Sequence, residues 1–361
     1  MIIIEFTKEQ IKITKGVAIL FMLLLHLFCT KQYVGLFEPI IYIGSVPLIY
    51  YLALFGDCCV AIFCFCSGYG LMINYQKNSL EYIAGNKKRI FNLYFNYWIV
   101  ILIFVCLLGP LLGKASSYPG NFKEFMLTIT AIDPAYNGAW WFVTTYILLV
   151  ITSPVLYRMI IKYNAYLVIG VTFIFYVIAY IQRIKNPLIF DSQVLNWLFR
   201  QAALYGTSLL PFIIGGLFYQ YRFYSKLNIV MKHIKFKNLI CSALIILMMV
   251  AHGIVQTLFF AVFTGIAFIC LFNLIDKPKW LEDFLNYFGT HSTNMWLNHM
   301  FFYMIYFKEL VYFPQNPILI FIWLIILSLI GSYITDYVMK LCRTYIFTGF
   351  LTSKRKLIGK Y

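Results

Sequence analysis

Two histidines stand in runs of residues too apolar to need them. His26 closes the segment Lys15-Gly16-Val17-Ala18-Ile19-Leu20-Phe21-Met22-Leu23-Leu24-Leu25-His26. At ~1.5 Å rise per residue it lies roughly 16 Å beyond Lys15, near the middle of a bilayer if Lys15 marks the inner mouth. That separation is close to three whole helical turns, so ammonium and imidazole share a helix face and could line one cavity. His299 closes Gly289-Thr290-His291-Ser292-Thr293-Asn294-Met295-Trp296-Leu297-Asn298-His299. It lies about 12 Å past His291, at a depth comparable to His26, and Ser292 shares its face one heptad earlier. Ionisable groups inside a membrane span are costly, and are functional candidates for that reason. Imidazole titrates near neutral pH, so the chemistry would be proton transfer or nucleophilic attack on an acyl group. Two rings at one depth on two helices either form one site or each bond a neighbouring helix, with Lys15 only a topology anchor. His291, near the inner mouth, is open to a site role or a loop-anchoring one.

Other residue types invite the same comparison. Ser67-Gly68-Tyr69-Gly70 closes an apolar segment, where glycines admit either a ligand or the backbone of another helix. Asn86-Lys87-Lys88-Arg89 follows, fit for substrate phosphates or for anionic lipid heads. Trp140 and Trp141 open a later segment, as part of an aromatic belt or as a stacking surface for a sugar. Asp57 and Asp336 have no partner visible in the sequence, and His233 and His252 are expected at the surface. The nine cysteines lie mostly in apolar runs without metal-ligand spacing. They read as small hydrophobes, with no disulfide and no metal site expected.

These groups need a scaffold, and composition says which kind. The chain has 361 residues, 62% hydrophobic and only 12% charged, where soluble domains carry about 25% charged residues. Runs such as 99–112 and 310–335 contain no Asp, Glu, Lys or Arg. An all-α, polytopic transmembrane bundle is therefore predicted, with ten spans at about 14–30, 52–74, 91–113, 139–157, 165–182, 202–221, 237–252, 254–275, 287–306 and 317–340. Ten spans place both termini on one side. That side collects 22 of the 29 Lys and Arg residues, against seven on the other, so both termini are expected in the cytoplasm. The net charge of +16 is then an orientation signal and not a footprint of nucleic acid. The first span lacks a small-residue cleavage site and reads as retained. The predicted organisation is one transmembrane domain over 1–345 and a basic cytoplasmic tail over 346–361.

Taken in order, the motifs resemble the membrane-bound acyltransferase family 3, whose members acylate extracytoplasmic glycans and related acceptors. Lys15 to His26 resembles its basic-x10-His opening. Val60-Ala61-Ile62-Phe63 through Ser67-Gly68-Tyr69-Gly70-Leu71 resembles its Phe-rich, Ser-Gly-aromatic segment. Lys88-Arg89-Ile90 with Leu93-Tyr94 and Tyr97-Trp98 resembles its Arg-Ile stretch, while Trp141-Phe142 and His291 to His299 resemble two later motifs. The chain departs from the pattern with Lys15 where many members have Arg, Ala61 for an acidic or amide residue, and Phe95 for Pro. It also carries none of the esterase-like domain that some relatives fuse after the last span. The resemblance implies an O-acyltransferase, most simply O-acetyl, in the bacterial plasma membrane. Acetyl-CoA would be a co-substrate, no cofactor would be held permanently, and the acceptor would be a glycan or lipid-linked saccharide. It implies catalytic roles for His26 and His299 and binding roles for Lys15, Ser67, Arg89, His291 and Ser292. Lys15 and Arg89 would take CoA phosphates, and His26 would act as base or as acyl carrier. The rival class is a transporter or flippase of a lipid-linked saccharide, which predicts paired broken half-helices in two related halves; no such halves are visible.

Overall fold

A computed structural model describes residues 6–187 and 189–358, the stretch 345–358 by its helical backbone alone. The side chains of the basic tail expected at 346–361 lie outside the described residues. Among the described residues ten long helical segments follow the ten apolar segments of the sequence. They are α1 (Lys8–Phe28), α2 (Leu48–Lys77), α3 (Ser79–Leu111), α4 (Gly138–Lys162), α5 (Ala165–Lys185), α6 (Gln193–Gln220), α7 (Lys237–Ile254), α8 (Leu258–Leu274), α9 (Lys279–Met300) and α10 (Pro317–Ile358). Eight of these, all but α8 and α9, are long and apolar enough to cross a membrane. Helix α8 is short, and α9 carries the polar Thr290, His291, Ser292, Asn294, Asn298 and His299 that mark it as a site helix.

Local chemistry sets where α1 begins. Thr7 accepts from the Gln10 backbone while the Gln10 side chain accepts from the Thr7 N–H, a reciprocal cap that starts the helix two turns before Lys15. Lys15 therefore sits about 10 Å along α1 and not at its mouth. His26 falls in the last turn, farther along the bundle than the mid-bilayer depth estimated from Lys15. Helix α9 begins two turns earlier than the span expected at 287–306, and continues as π-helix through Phe301–Tyr306.

The bundle is built on close helix crossings. A Cβ on Gly16 would stand 1.9 Å from the Leu285 carbonyl oxygen, and one on Gly289 would stand 2.0 Å from that of Lys12. Only glycine lets α1 and α9 approach so nearly. Gly68 serves a similar seam, its Cβ position lying 1.9 Å from the Phe212 oxygen of α6, so helix packing explains it. The π-helical stretch Ile101–Leu108 of α3 faces that of α9, with the Phe104 and Phe301 rings stacked at 4.9 Å. Tyr306 donates to the Phe104 carbonyl at 2.8 Å. The long loop after α3 folds back on that helix through Phe122–Ile129, where Tyr97 and Trp98 donate to the Thr128 and Ile129 carbonyls, each at 2.8 Å. A two-residue hairpin, Tyr42–Ile43 against Val46–Pro47, caps the loop before α2.

Candidate active site

Helices α1 and α9 run side by side in the same direction, Gly16 beside Leu285 at one end and His26 beside His299 at the other. The two imidazoles meet edge to face, with centroids 4.9 Å apart. Their environments differ. His26 lines a cavity and places Nδ1 3.0 Å from the Tyr303 hydroxyl. His299 is fully buried, its Nδ1 2.8 Å from the Trp296 carbonyl and 3.2 Å from that of Met295. Carbonyls only accept, so Nδ1 carries the proton and Nε2 holds a lone pair. That Nε2 is buried without a hydrogen-bond partner among the described residues.

The cavity holds about 600 Å³ and is bounded by α1, α2, α3, α4, α5, α8, α9 and α10. On the side toward the starts of α1 and α9 it is lined by Lys15, Ser67, Arg89, Ser292 and Asp336, all well inside the bundle; toward the ends of those helices it is lined by His26, Asp57, Trp141 and Arg183. Arg89 is held by the Asn86 amide oxygen at 2.6 Å and the Tyr82 carbonyl at 3.0 Å, with its guanidinium 4.5 Å from the centre of the Tyr82 ring. Lys15 makes no hydrogen bond or ion pair to a described residue, which leaves its ammonium for a ligand. Ser67 donates to the Phe63 carbonyl at 2.7 Å and Ser292 to that of Gly289 at 2.9 Å. Both hydroxyls are thus placed to accept from a ligand and not to donate to it.

Five expected site residues, Lys15, His26, Ser67, Arg89 and Ser292, border this one cavity. Two stand behind it. His299 backs His26, and His291 turns to α10, where Nδ1 lies 2.9 Å from the Ser332 hydroxyl and 3.7 Å from an Asp336 carboxylate oxygen. Asp336 also accepts from Asn294 at 2.9 Å, and Asn294 accepts in turn from Asn96. Asp336 stands out in the sequence, but its partners there do not, and Tyr303 and Arg183 escape sequence reasoning as site residues; only the polar side chains of Asn96 and Asn294 within apolar runs signal the network. His252, expected at the surface, is buried with Nε2 3.0 Å from Asp57. Trp140 is not in an aromatic belt. It is fully buried and donates to the Leu297 carbonyl at 2.8 Å, while Trp141 faces the cavity under the Arg183 guanidinium. Among the described residues no three His, Cys, Asp or Glu side chains are grouped as a metal site, and the cysteines are free.

Apolar helices enclose one cavity, lined by Lys15 and Arg89 toward one end and by His26 and Arg183 toward the other. The family model for the acyltransferase domain of acyltransferase family 3 matches residues 8–337, and the chain belongs to that family. It is a membrane acyltransferase. No curated protein and no solved structure matches the chain.

Proposed function

We propose that the protein transfers an acetyl group from cytoplasmic acetyl-CoA to a hydroxyl of an extracellular or capsular polysaccharide, or of its lipid-linked precursor. In this reading it crosses the bacterial plasma membrane ten times with both termini inside, as the uneven distribution of cations favours. The observation that carries it is the single cavity joining Lys15 and Arg89 to His26.

Lys15 and Arg89 take the phosphates of the donor, since charge-assisted hydrogen bonds are about twice as strong as neutral ones. The pantetheine arm then runs past Ser67 and Ser292 toward His26. With Nδ1–H donated to Tyr303, Nε2 of His26 is the base. It removes the acceptor's hydroxyl proton as that oxygen attacks the thioester carbonyl. The tetrahedral adduct collapses, its C–S bond breaks, and the departing CoA thiolate takes the proton from the imidazolium. His299 is a positioning residue: its buried ring packs edge to face on His26 and fixes the orientation of that imidazole. His291 fixes Asp336 and so shapes the inner end.

Radiolabelled acetyl-CoA, given with an acceptor glycan to the purified protein, tests the reading. His26→Ala should lower label transfer by ~10²–10⁴. Undiminished transfer at equal protein level sinks the role of His26, and saccharide movement without label transfer returns the flippase.

A further inference from the structure

Arg183 stands in the last turn of α5, and its side chain points into the bundle. It lines both the main cavity and a side pocket of about 70 Å³ that opens beside it, bordered also by Asp57, Tyr176, Tyr180, Thr207 and Ser208. The guanidinium lies 4.8 Å from the centre of the Trp141 ring, and one N–H reaches the Thr207 hydroxyl at 3.3 Å. Arg183 pairs with no carboxylate among the described residues. Asp57 lines the same space; one of its carboxylate oxygens is bonded to His252 at 3.0 Å, and the other has no hydrogen-bond partner among the described residues.

A guanidinium has five N–H donors in a planar fork. Here one is used by a neutral hydroxyl, and among the described residues no carboxylate lies within ion-pair distance of the charge. Leaving a charge so placed is costly unless an anion joins it. The side pocket has room for roughly five water-sized groups at ~10–15 Å³ each. That admits a carboxylate and the carbon bearing it, but not a second sugar ring. The adjoining main cavity has the volume for the ring itself, and Trp141 presents an aromatic surface at its edge. Arg183 lies toward the end of the cavity away from Lys15 and Arg89, the end at which the acceptor enters if the acetyl donor comes from the other.

We propose that the acceptor is an acidic sugar whose carboxylate is bound bidentately by Arg183, with the ring over the cavity beside Trp141. This rests on the acyltransferase reading for which end receives the acceptor, but the binding itself needs no acyl donor. The test is therefore equilibrium binding of glucuronate-containing oligosaccharides to the full-length protein in nanodiscs, compared with the same oligosaccharides after reduction of the carboxyl to an alcohol. The expected result is at least tenfold tighter binding of the acidic form. Arg183→Gln should abolish that preference while acetyl-CoA binding persists, and Arg183→Lys should keep part of it, the charge remaining and the fork being lost. Thr207→Val, which frees the guanidinium from its anchor, covers the case in which Arg183→Gln fails to fold; it should weaken acidic binding several-fold and leave neutral binding unmoved. Equal binding of both forms, no binding of either, or an undiminished preference in a folded Arg183→Gln protein would overturn the proposal. Failure of the acyltransferase reading would show separately, as acidic binding without label transfer from acetyl-CoA.

Discussion

Helices α1 and α7 are nearly alike in hydropathy, and the fold uses them in opposite ways. Of the most apolar stretch of α1, 56% is buried; of that of α7, 11%. Helix α1 is wedged against α9 through Gly16 and Gly289 and carries Lys15 and His26 into the cavity. Helix α7 turns Leu239, Ile246, Leu247 and Val250 outward and buries only Cys241 and His252. Lipid tails are as apolar as leucine, so apolarity by itself does not choose which helix lies at the centre. Close backbone contact and polar bonds make that choice. The centre is assembled where glycine removes the side chain between two helices. The periphery is attached through the His252–Asp57 pair, the bond from Tyr50 to Gln256 at 3.0 Å, and Gly253 against the Tyr51 ring.

The contrast can be broken most sharply at the α1–α9 seam. Gly289→Leu pushes against the Lys12 carbonyl and must displace one helix by an ångström or more, moving His26 away from the donor path. A misplacement of that size costs about 10² in rate, so acetyl transfer at matched protein level should fall by at least ~10²; a variant with full transfer would show that the crossing does not position the site. A smaller loss is expected from Tyr303→Phe, which removes one neutral hydrogen bond from His26. That bond is worth about 1 kcal/mol, or roughly fivefold in rate, and the loss should fall on kcat and leave KM for acetyl-CoA in place.

At the periphery the expected effects move from rate to stability. His252→Ala leaves the buried Asp57 carboxylate unpaired, and breaking such a pair costs about 3–5 kcal/mol. Thermal unfolding in detergent should drop accordingly, while transfer per folded molecule changes far less than in Gly289→Leu. An unchanged melting temperature would mean that the pair does not hold α7. Leu247→Val, on the outward face of the same helix, should stay within about 0.5 kcal/mol of the parent protein.

Much of the site's placement is legible in the order of residues alone. A separation of eleven positions from Lys15 to His26 guarantees a shared face on any α-helix, and both side chains do border one cavity. The comparable depth of His26 and His299 follows from rise per residue in two segments starting on the same side, and the rings do touch. Depth within the bundle is less legible, because the cap at Thr7 starts α1 well before Lys15 and shifts both groups along. Tyr303 is invisible in the sequence because a π-helical turn, not the regular helix, sets its approach to His26. Arg183 falls among the outer-loop cations by position, and nothing in its own segment shows that it turns inward. His252 reads as a turn residue, since its partner Asp57 is 195 positions away.

By itself the sequence determined the helical segments, the face shared by Lys15 and His26, and the family. Each of these depends on periodicity, composition or an ordered set of local motifs, which the chain carries without reference to its neighbours. Tertiary structure alone decided that His299 is buried behind His26, off the cavity wall. It also decided that His291 serves Asp336 and that Asp57 is joined to His252. The physical reason is that a buried polar group must find a partner wherever the packing puts one. In this bundle those partners come from helices far apart in the chain, brought together by crossings at single glycines.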